Sequence, residues 1–361
     1  MSDRQTETTF NTPVNTPLVS VIMPTYNAAA FIEESVRSVL AQSYPRFELL
    51  IADDASTDDT PALVSALNDP RIRYFRLERL GSPARVRNAA LREARGEMIA
   101  FLDSDDVYLP DALEKLVDAL QSHPDWTVAQ GFNLVMDETG RPVDMDAALV
   151  PDPRGGLHMP DYFRFTEREM VLGHFNCQLP TMMMRRETFD EVGYFNERLY
   201  RVEDFEFFLR ICRLGLERFG VIPEYIYRYR FYASSATRDP ARLQDVVDSS
   251  RAVLAWVFSE FQLKPETRAL EALAYVKRYR YLAAQQLKAG HAALARKMVN
   301  AAFRDPKIPA RLCLQELATT ALRTLFPAGV NQWLSQWRWS QRHAAAAPGQ
   351  SLSLAHSGAP L

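Results

Sequence analysis

Three carboxylates, Asp103, Asp105 and Asp106, crowd into four residues directly behind the apolar run Met98–Leu102. Like charges this close repel and raise one another's pKa. The crowding makes chemical sense around a hard divalent cation. Mg²⁺ or Mn²⁺ takes oxygen ligands and keeps coordination positions free for substrate phosphates. A second acidic knot lies fifty residues earlier, where Phe47–Ala52 ends in Asp53-Asp54-Ala55-Ser56-Thr57-Asp58. Two strands of buried type, each ending in acids, imply one acidic crevice at the carboxyl ends of a parallel sheet. Helix capping is the competing reading. It suits Asp58 and Thr60, because Pro61 makes a good first helical residue. It explains little for Asp103 and Asp105, since the next helix begins near Pro110-Asp111.

The elements that must hold these acids alternate along the chain. Leu18–Pro24 reads as a first strand, Phe31–Ser43 as a helix with Phe31, Val36, Val39 and Leu40 at helical spacing, and Phe47–Ala52 as a second strand. Pro61–Leu67 is a short helix, Ile72–Arg76 a strand, Pro83–Ala94 a helix and Met98–Leu102 a strand. Such alternation marks an α/β fold with a parallel sheet. Leu109–Gln121 continues as helix, Thr127–Met136 as strand, and the Pro- and Gly-rich residues 144–165 as a long loop over the site. Leu179–Arg185 and Tyr225–Tyr232 read as strands, and Phe205–Leu214 as an amphipathic helix that opens beside Glu203, Asp204 and Glu206. Beyond about residue 245 the texture is helical: Gln244–Phe261, Pro265–Ala289, Ala292–Arg304, Ala310–Leu325 and Val330–Arg342.

At 361 residues with 47% apolar side chains, the chain can bury one large core or two ordinary ones. No apolar run reaches the length of a spanning helix, and Met1–Pro17 has no apolar signal core. Cys177, Cys212 and Cys313 match no metal or disulfide framework, which points to a reducing cytosol. The net charge of −3 conceals a division. Residues 251–345 carry 15 Lys and Arg against 5 Asp and Glu, whereas residues 1–250 carry 27 against 40. The balances of +10 and −13 suggest two modules with different partners.

Five motifs then stand in one order: Val19–Asn27, Asp53–Asp58, Ala84–Leu91, Phe101–Asp106, and Gly193–Glu197 followed by Glu203-Asp204. Over roughly residues 18–235 this pattern resembles glycosyltransferase family two. The resemblance implies a GT-A fold, Rossmann-like with a mostly parallel sheet flanked by helices, here followed by an α-helical C-terminal domain. It implies a nucleotide-diphosphate sugar donor, a Mn²⁺ or Mg²⁺ cofactor, and inversion at the anomeric carbon. Pro24, Thr25 and Tyr26 would border the nucleotide base, with the Tyr26 ring covering it, although a loop aromatic also packs readily on a sheet. The Asp53-Asp54 pair would accept the uracil N–H, with Asp54 favoured. Arg87 would lie on the nucleotide side. Asp105 would ligate the metal directly, and Asp103 would contact ribose or the metal's water. Asp204 would be the general base beside Glu203, although this pair also suits the positive end of the following helix. Two departures stand out: Ala55 occupies a usual glycine position, and Arg228 or Arg230 stands in the segment where a histidine often follows Tyr-Arg. Either arginine could clamp the diphosphate or simply stack on neighbouring tyrosines.

The resemblance leaves the basic end unexplained. Trp333, Trp337 and Trp339 lie among Arg338 and Arg342, a composition suited to an anionic membrane surface or to packing on the catalytic domain. No nucleic-acid motif accompanies it. The expectation is a tail over residues 1–17, a GT-A domain over 18–244, a basic helical domain over 245–342 and a tail over 343–361. The expected activity is transfer of a hexosyl or N-acetylhexosaminyl group, from a UDP-sugar, to a surface-glycan or lipid-linked hydroxyl. It would take place in the cytoplasm, peripherally on the cytoplasmic face of the membrane. Two alternatives remain: a non-catalytic sugar-nucleotide-binding scaffold, and a nucleotidyltransferase, which would normally open with a Gly-rich phosphate loop that Pro24–Ala28 lacks.

Overall fold

The computed structural model of the protein describes residues 16–143, 166–172, 178–199, 201–232, 240–288 and 290–323. The expected loop 144–165, the Trp-rich helix Val330–Arg342 and most of both tails lie outside the described residues.

Strands β1 (Val19–Thr25), β2 (Phe47–Asp53), β3 (Ile72–Arg76), β4 (Met98–Phe101), β5 (Val107–Tyr108), β6 (Val128–Met136), β7 (Met182–Arg185) and β8 (Phe219–Arg230) form one eight-stranded sheet. Its order is β3-β2-β1-β4-β7-β6-β8-β5. The half running β3-β2-β1-β4 is parallel. In the other half β7 runs antiparallel to β4 and β6, β8 lies parallel to β6, and β5 pairs antiparallel with β8. The sheet is therefore more mixed than the alternation of elements implied. Strand β5 has only two residues, too few to leave a periodic signal.

The helices are α1 (Ile32–Leu40), α2 (Thr60–Ala66), α3 (Pro83–Glu93), α4 (Ala112–Ser122), α5 (Glu167–Leu172), α6 (Thr188–Val192) and α7 (Glu203–Cys212). They continue as α8 (Leu243–Glu260), α9 (Pro265–Arg268), α10 (Glu271–Lys288), α11 (Ala292–Arg304) and α12 (Ala310–Arg323). Successive strand residues point to opposite faces, and the two cores follow that rule. Val21, Met23, Leu49 and Ile51 pack with α1 and α4 on one face, while Ile22, Leu50 and Ala52 join the other. The second core continues without a break into Leu254, Val257, Tyr275 and Ala283 of the C-terminal helices. Those helices thus share an apolar core with the sheet. The expected single helix Pro265–Ala289 is divided in two, with Ala269 and Leu270 in a turn between α9 and α10. Among the described residues no helix is long and apolar enough to cross a membrane.

Candidate active site

The parallel half of the sheet brings its acidic ends level. Thr25 at the end of β1 lies opposite Asp53 of β2, and Ile22 lies opposite Phe101 at the end of β4. The loops after all three strands therefore share one edge, as the two acid knots implied.

Side chains stitch these loops together. Asn27 has a positive φ of 48°, and its Oδ1 accepts from the Thr57 amide at 2.8 Å. The Ala29 amide donates to Asp58 Oδ2 at 3.0 Å, and Asp58 Oδ1 accepts from the amide and hydroxyl of Thr60. Asp58 therefore locks the first loop to the second, and the residue preceding α2 is Asp59. Ala55 has φ of 60°, so the turn after the acid pair does carry a Cβ in the left-handed region. Ser56 helps hold it: its amide and hydroxyl donate to Asp53 Oδ1 at 2.9 and 2.6 Å. Tyr74 donates to the other Asp53 oxygen. Asp53 is fully buried with both oxygens engaged. Expected at the uracil edge, it instead braces the turn from within.

Asp54 faces the adjoining loop. Its carboxylate accepts from Arg79 and from the amides of Leu80 and Gly81, the last at 3.0 Å. The Arg79 guanidinium also lies 3.5 Å from the centre of the exposed Tyr26 ring. Arg79 was not legible as a site residue; the one available signal was Gly81-Ser82-Pro83, which turns the chain into α3. Pro24 is partly buried, and Thr25 is buried, its hydroxyl without a hydrogen-bond partner among the described residues.

Arg87, on α3, sits between the acid clusters. It is only 7% exposed, and it donates to Asp103 Oδ1 at 2.8 Å and to Glu203 Oε1 at 2.7 Å. Burial opposes its charge, but Asp103 and Glu203 outweigh that and hold its pKa above the ordinary arginine value. The neighbouring Asn88 pins the segment leading to Glu203. Its amide donates to the Phe195 carbonyl and to Glu197, both at 2.9 Å, and its oxygen accepts from the Phe195 amide at 3.0 Å.

The four-residue acid motif divides its labour. The Asp103 side chain remains 38% exposed. Asp105 accepts from the Tyr232 hydroxyl at 2.8 Å; burial and then Asp103 raise its pKa. Asp106 turns inward and accepts from the Arg230 amide at 2.8 Å. Burial, then Asp105 and Asp103, push its pKa well up.

Arg230 is a correction to the expectation of a diphosphate clamp. It is 1% exposed, and each guanidinium nitrogen is committed within the protein. Nε donates to the Asp105 carbonyl at 2.8 Å, one terminal nitrogen to the carbonyls of Asp137 and Glu138, and the other to Glu34 at 2.5 Å. It braces the acidic turn from beneath. Arg228 is exposed on the same strand.

Glu203 and Asp204 open α7, where the helix dipole favours negative charge. Glu203 is buried, and its Oε2 has no hydrogen-bond partner among the described residues. Asp204 is half-buried and accepts from the Phe205 amide at 2.7 Å. Burial and then Glu203 push its pKa up to about 6, with Arg87 opposing. No group of three or more His, Cys, Asp or Glu able to enclose a metal is present among the described residues.

Residues 20–193 match the family model described as Glycosyl transferase family 2. TuaG of Bacillus subtilis, a putative teichuronic acid biosynthesis glycosyltransferase, is 33% identical over 223 residues, covering 61% of this chain and 81% of TuaG. WfgD of Escherichia coli, a UDP-Glc:alpha-D-GlcNAc-diphosphoundecaprenol beta-1,3-glucosyltransferase, is 47% identical over 97 residues, which are 27% of this chain and 38% of WfgD. The structure of S. aureus TarS 1-349 in complex with UDP-GlcNAc shares the fold, with a TM-score of 0.58 at 21% identity over 81% of this chain and 82% of that one. The chain belongs to glycosyl transferase family 2 and is a glycosyltransferase.

Proposed function

We propose that the protein is a metal-dependent, inverting glycosyltransferase. It moves a sugar from a UDP-sugar to a hydroxyl of a lipid-linked or surface-glycan acceptor. The observation that carries this reading is the Arg87 bridge, which sets Asp103 of the acid motif beside Glu203 of the acid pair. Donor phosphates and acceptor base thereby share one site. The acceptor class and the UDP donor are supported by the activity named for WfgD, and the assembly of surface polysaccharide by the name of TuaG.

The carboxylates of Asp103 and Asp105 supply oxygen ligands but no complete cage. That suits a Mg²⁺- or Mn²⁺-type cation, which completes its shell with water and substrate phosphates. Asp105 would hold it directly, with Asp103 alongside. Such an ion neutralises charge building on the departing nucleoside diphosphate. Asp54, Tyr26 and Arg79 form the base end of the donor site. Arg87 orients Asp103 and Glu203 by donating to one oxygen of each. Asp204 takes the proton from the acceptor hydroxyl. The hydroxyl oxygen bonds to the anomeric carbon as the bond to the phosphate oxygen breaks on the opposite side, and the nucleoside diphosphate leaves. Attack from that side inverts the anomeric centre. A base with a pKa near 6 is ionised at neutral pH yet still takes a proton in the transition state.

The reading is tested by donor binding and hydrolysis across a panel of nucleotide sugars, each with Mn²⁺, with Mg²⁺ and with chelator. It expects a UDP-sugar to bind with metal and to be turned over slowly in water. Binding without turnover under every condition and with every acceptor offered would favour the scaffold alternative.

A further inference from the structure

The C-terminal helices border an open cleft that the transfer chemistry does not use. It has a volume of about 570 Å³ and lies between α8 and α11, with Tyr279 of α10 and the Asp305-Pro306 turn also lining it. This is within the usual range for a ligand pocket. Arg296, Asn300 and Arg304 are spaced four apart on α11, so they share a face, and Lys297 adjoins them. Gln244, Asp248 and Arg251 line the α8 side.

The charges do not cancel. The buried Asp305 is taken by Arg251 Nε at 2.8 Å and by the Tyr279 hydroxyl at 3.0 Å. Asp248 is then the remaining acid, against the cations Lys297 and Arg304. Lys297 and Arg304 are exposed and make no ion pair among the described residues. Two such cations facing one acid across a concave wall attract an anion. The lining is also more than cationic. The Gln244 amide donates to Asp248 Oδ1 at 3.0 Å, and the other Asp248 oxygen and the Asn300 amide present an acceptor and donors suited to hydroxyl groups. A membrane surface calls for a convex face of basic residues, whereas this mixture in a hollow suits a charged carbohydrate.

We propose that this cleft binds an anionic sugar segment, carrying carboxylates or phosphates, outside the transfer centre. The proposal rests on the glycosyltransferase reading only in naming that segment as part of a glycan. Helix α10 joins the two places: Tyr279 lines the cleft, and the adjacent Arg278 lies 5.1 Å from the ring of Phe205, next to Asp204.

The test uses the full chain and measures binding of a tetragalacturonate, with maltotetraose as its neutral counterpart, by titration calorimetry at low salt. Lys297→Glu combined with Arg304→Glu changes exposed residues only. The expected result is that tetragalacturonate binds at least 10-fold more tightly than maltotetraose and that the double variant loses at least 10-fold of this affinity. Asp105→Ala should keep the affinity, and the double variant should bind the nucleotide donor as the parent does. Equal binding of the two sugars overturns the proposal, as does loss in Asp105→Ala instead of in the double variant. Failure of both sugars, with binding to phosphatidylglycerol vesicles that the double variant abolishes, also overturns it in favour of a lipid surface. Donor binding measured in the same samples keeps either failure separate from that of the transferase reading.

Discussion

The Arg87 guanidinium reaches Glu203 Oε1 at 2.7 Å, across 116 residues of sequence, while holding Asp103 Oδ1 at 2.8 Å. One cation thus joins the acid motif behind β4 to the acid pair that opens α7. Removing one partner of a buried pair typically costs about 3–5 kcal/mol, because the other charge is left uncompensated. Arg87→Ala should lose stability on that scale by denaturant unfolding. Arg87→Lys keeps the charge but replaces the planar fork by a single ammonium. It should fold and bind donor, with a lowered kcat. An unchanged kcat in a folded Arg87→Lys enzyme would remove the bridge from the account.

Arg230 makes the opposite forecast from the one its sequence position invites. A diphosphate clamp would give a stable but donor-blind Arg230→Ala protein. The buried brace seen here leaves Glu34 and the carbonyls of Asp105, Asp137 and Glu138 without their donor. Arg230→Ala should therefore lose stability, on the scale of about 1–3 kcal/mol for each buried carbonyl left without its donor. Unfolding midpoints and donor affinity measured on the same variant separate the two roles.

Tyr232 donates to Asp105 Oδ2 and so orients the carboxylate proposed to hold the metal. Partners of this kind typically contribute about 10–100-fold to metal affinity. Tyr232→Phe should weaken Mn²⁺ activation by about 10-fold while leaving the maximal rate at saturating metal nearly intact. Asp105→Ala should abolish metal-dependent donor binding. Equal metal affinity in parent and Tyr232→Phe would show that Asp105 is not a ligand.

The Asp204 carboxyl has its pKa pushed up to about 6 by burial and Glu203. The base must be ionised to act, so kcat should rise with pH and level off above about 6. Stability moves the other way. The folded chain holds the Asp204 proton more tightly than the unfolded chain, whose aspartate titrates near about 3.9. Between those values the native state binds more protons, so this contribution to stability falls as pH rises. Denaturation midpoints of the parent and of Asp204→Asn across that window check the sign. The Asn variant should lack this component.

Much of this site could be read from the chain because its acids follow apolar strands, and a parallel sheet must bring such strand ends together. Asp103 and Asp105 were legible for that reason, whereas Asp204 was read through the family's motif order. Side-chain direction was not. Asp53 and Asp54 are adjacent, yet Asp53 points inward to Ser56 and Tyr74 while Asp54 meets Arg79 and Gly81. Arg230 looks like a surface cation until the paired β5 and β8 strands bury it behind the acidic turn. The C-terminal helices were legible as helices. Their union with the sheet core was not, because a helix's own spacing does not reveal what its apolar face meets.

The central claim is that Asp204 takes the acceptor proton while Asp105 serves the donor. The most direct test is Asp204→Asn, with donor affinity measured by calorimetry and transfer measured at saturating donor. Donor affinity should be unchanged and kcat lowered by about 10²–10⁴-fold. Transfer at the parental rate by a folded Asp204→Asn enzyme would contradict it.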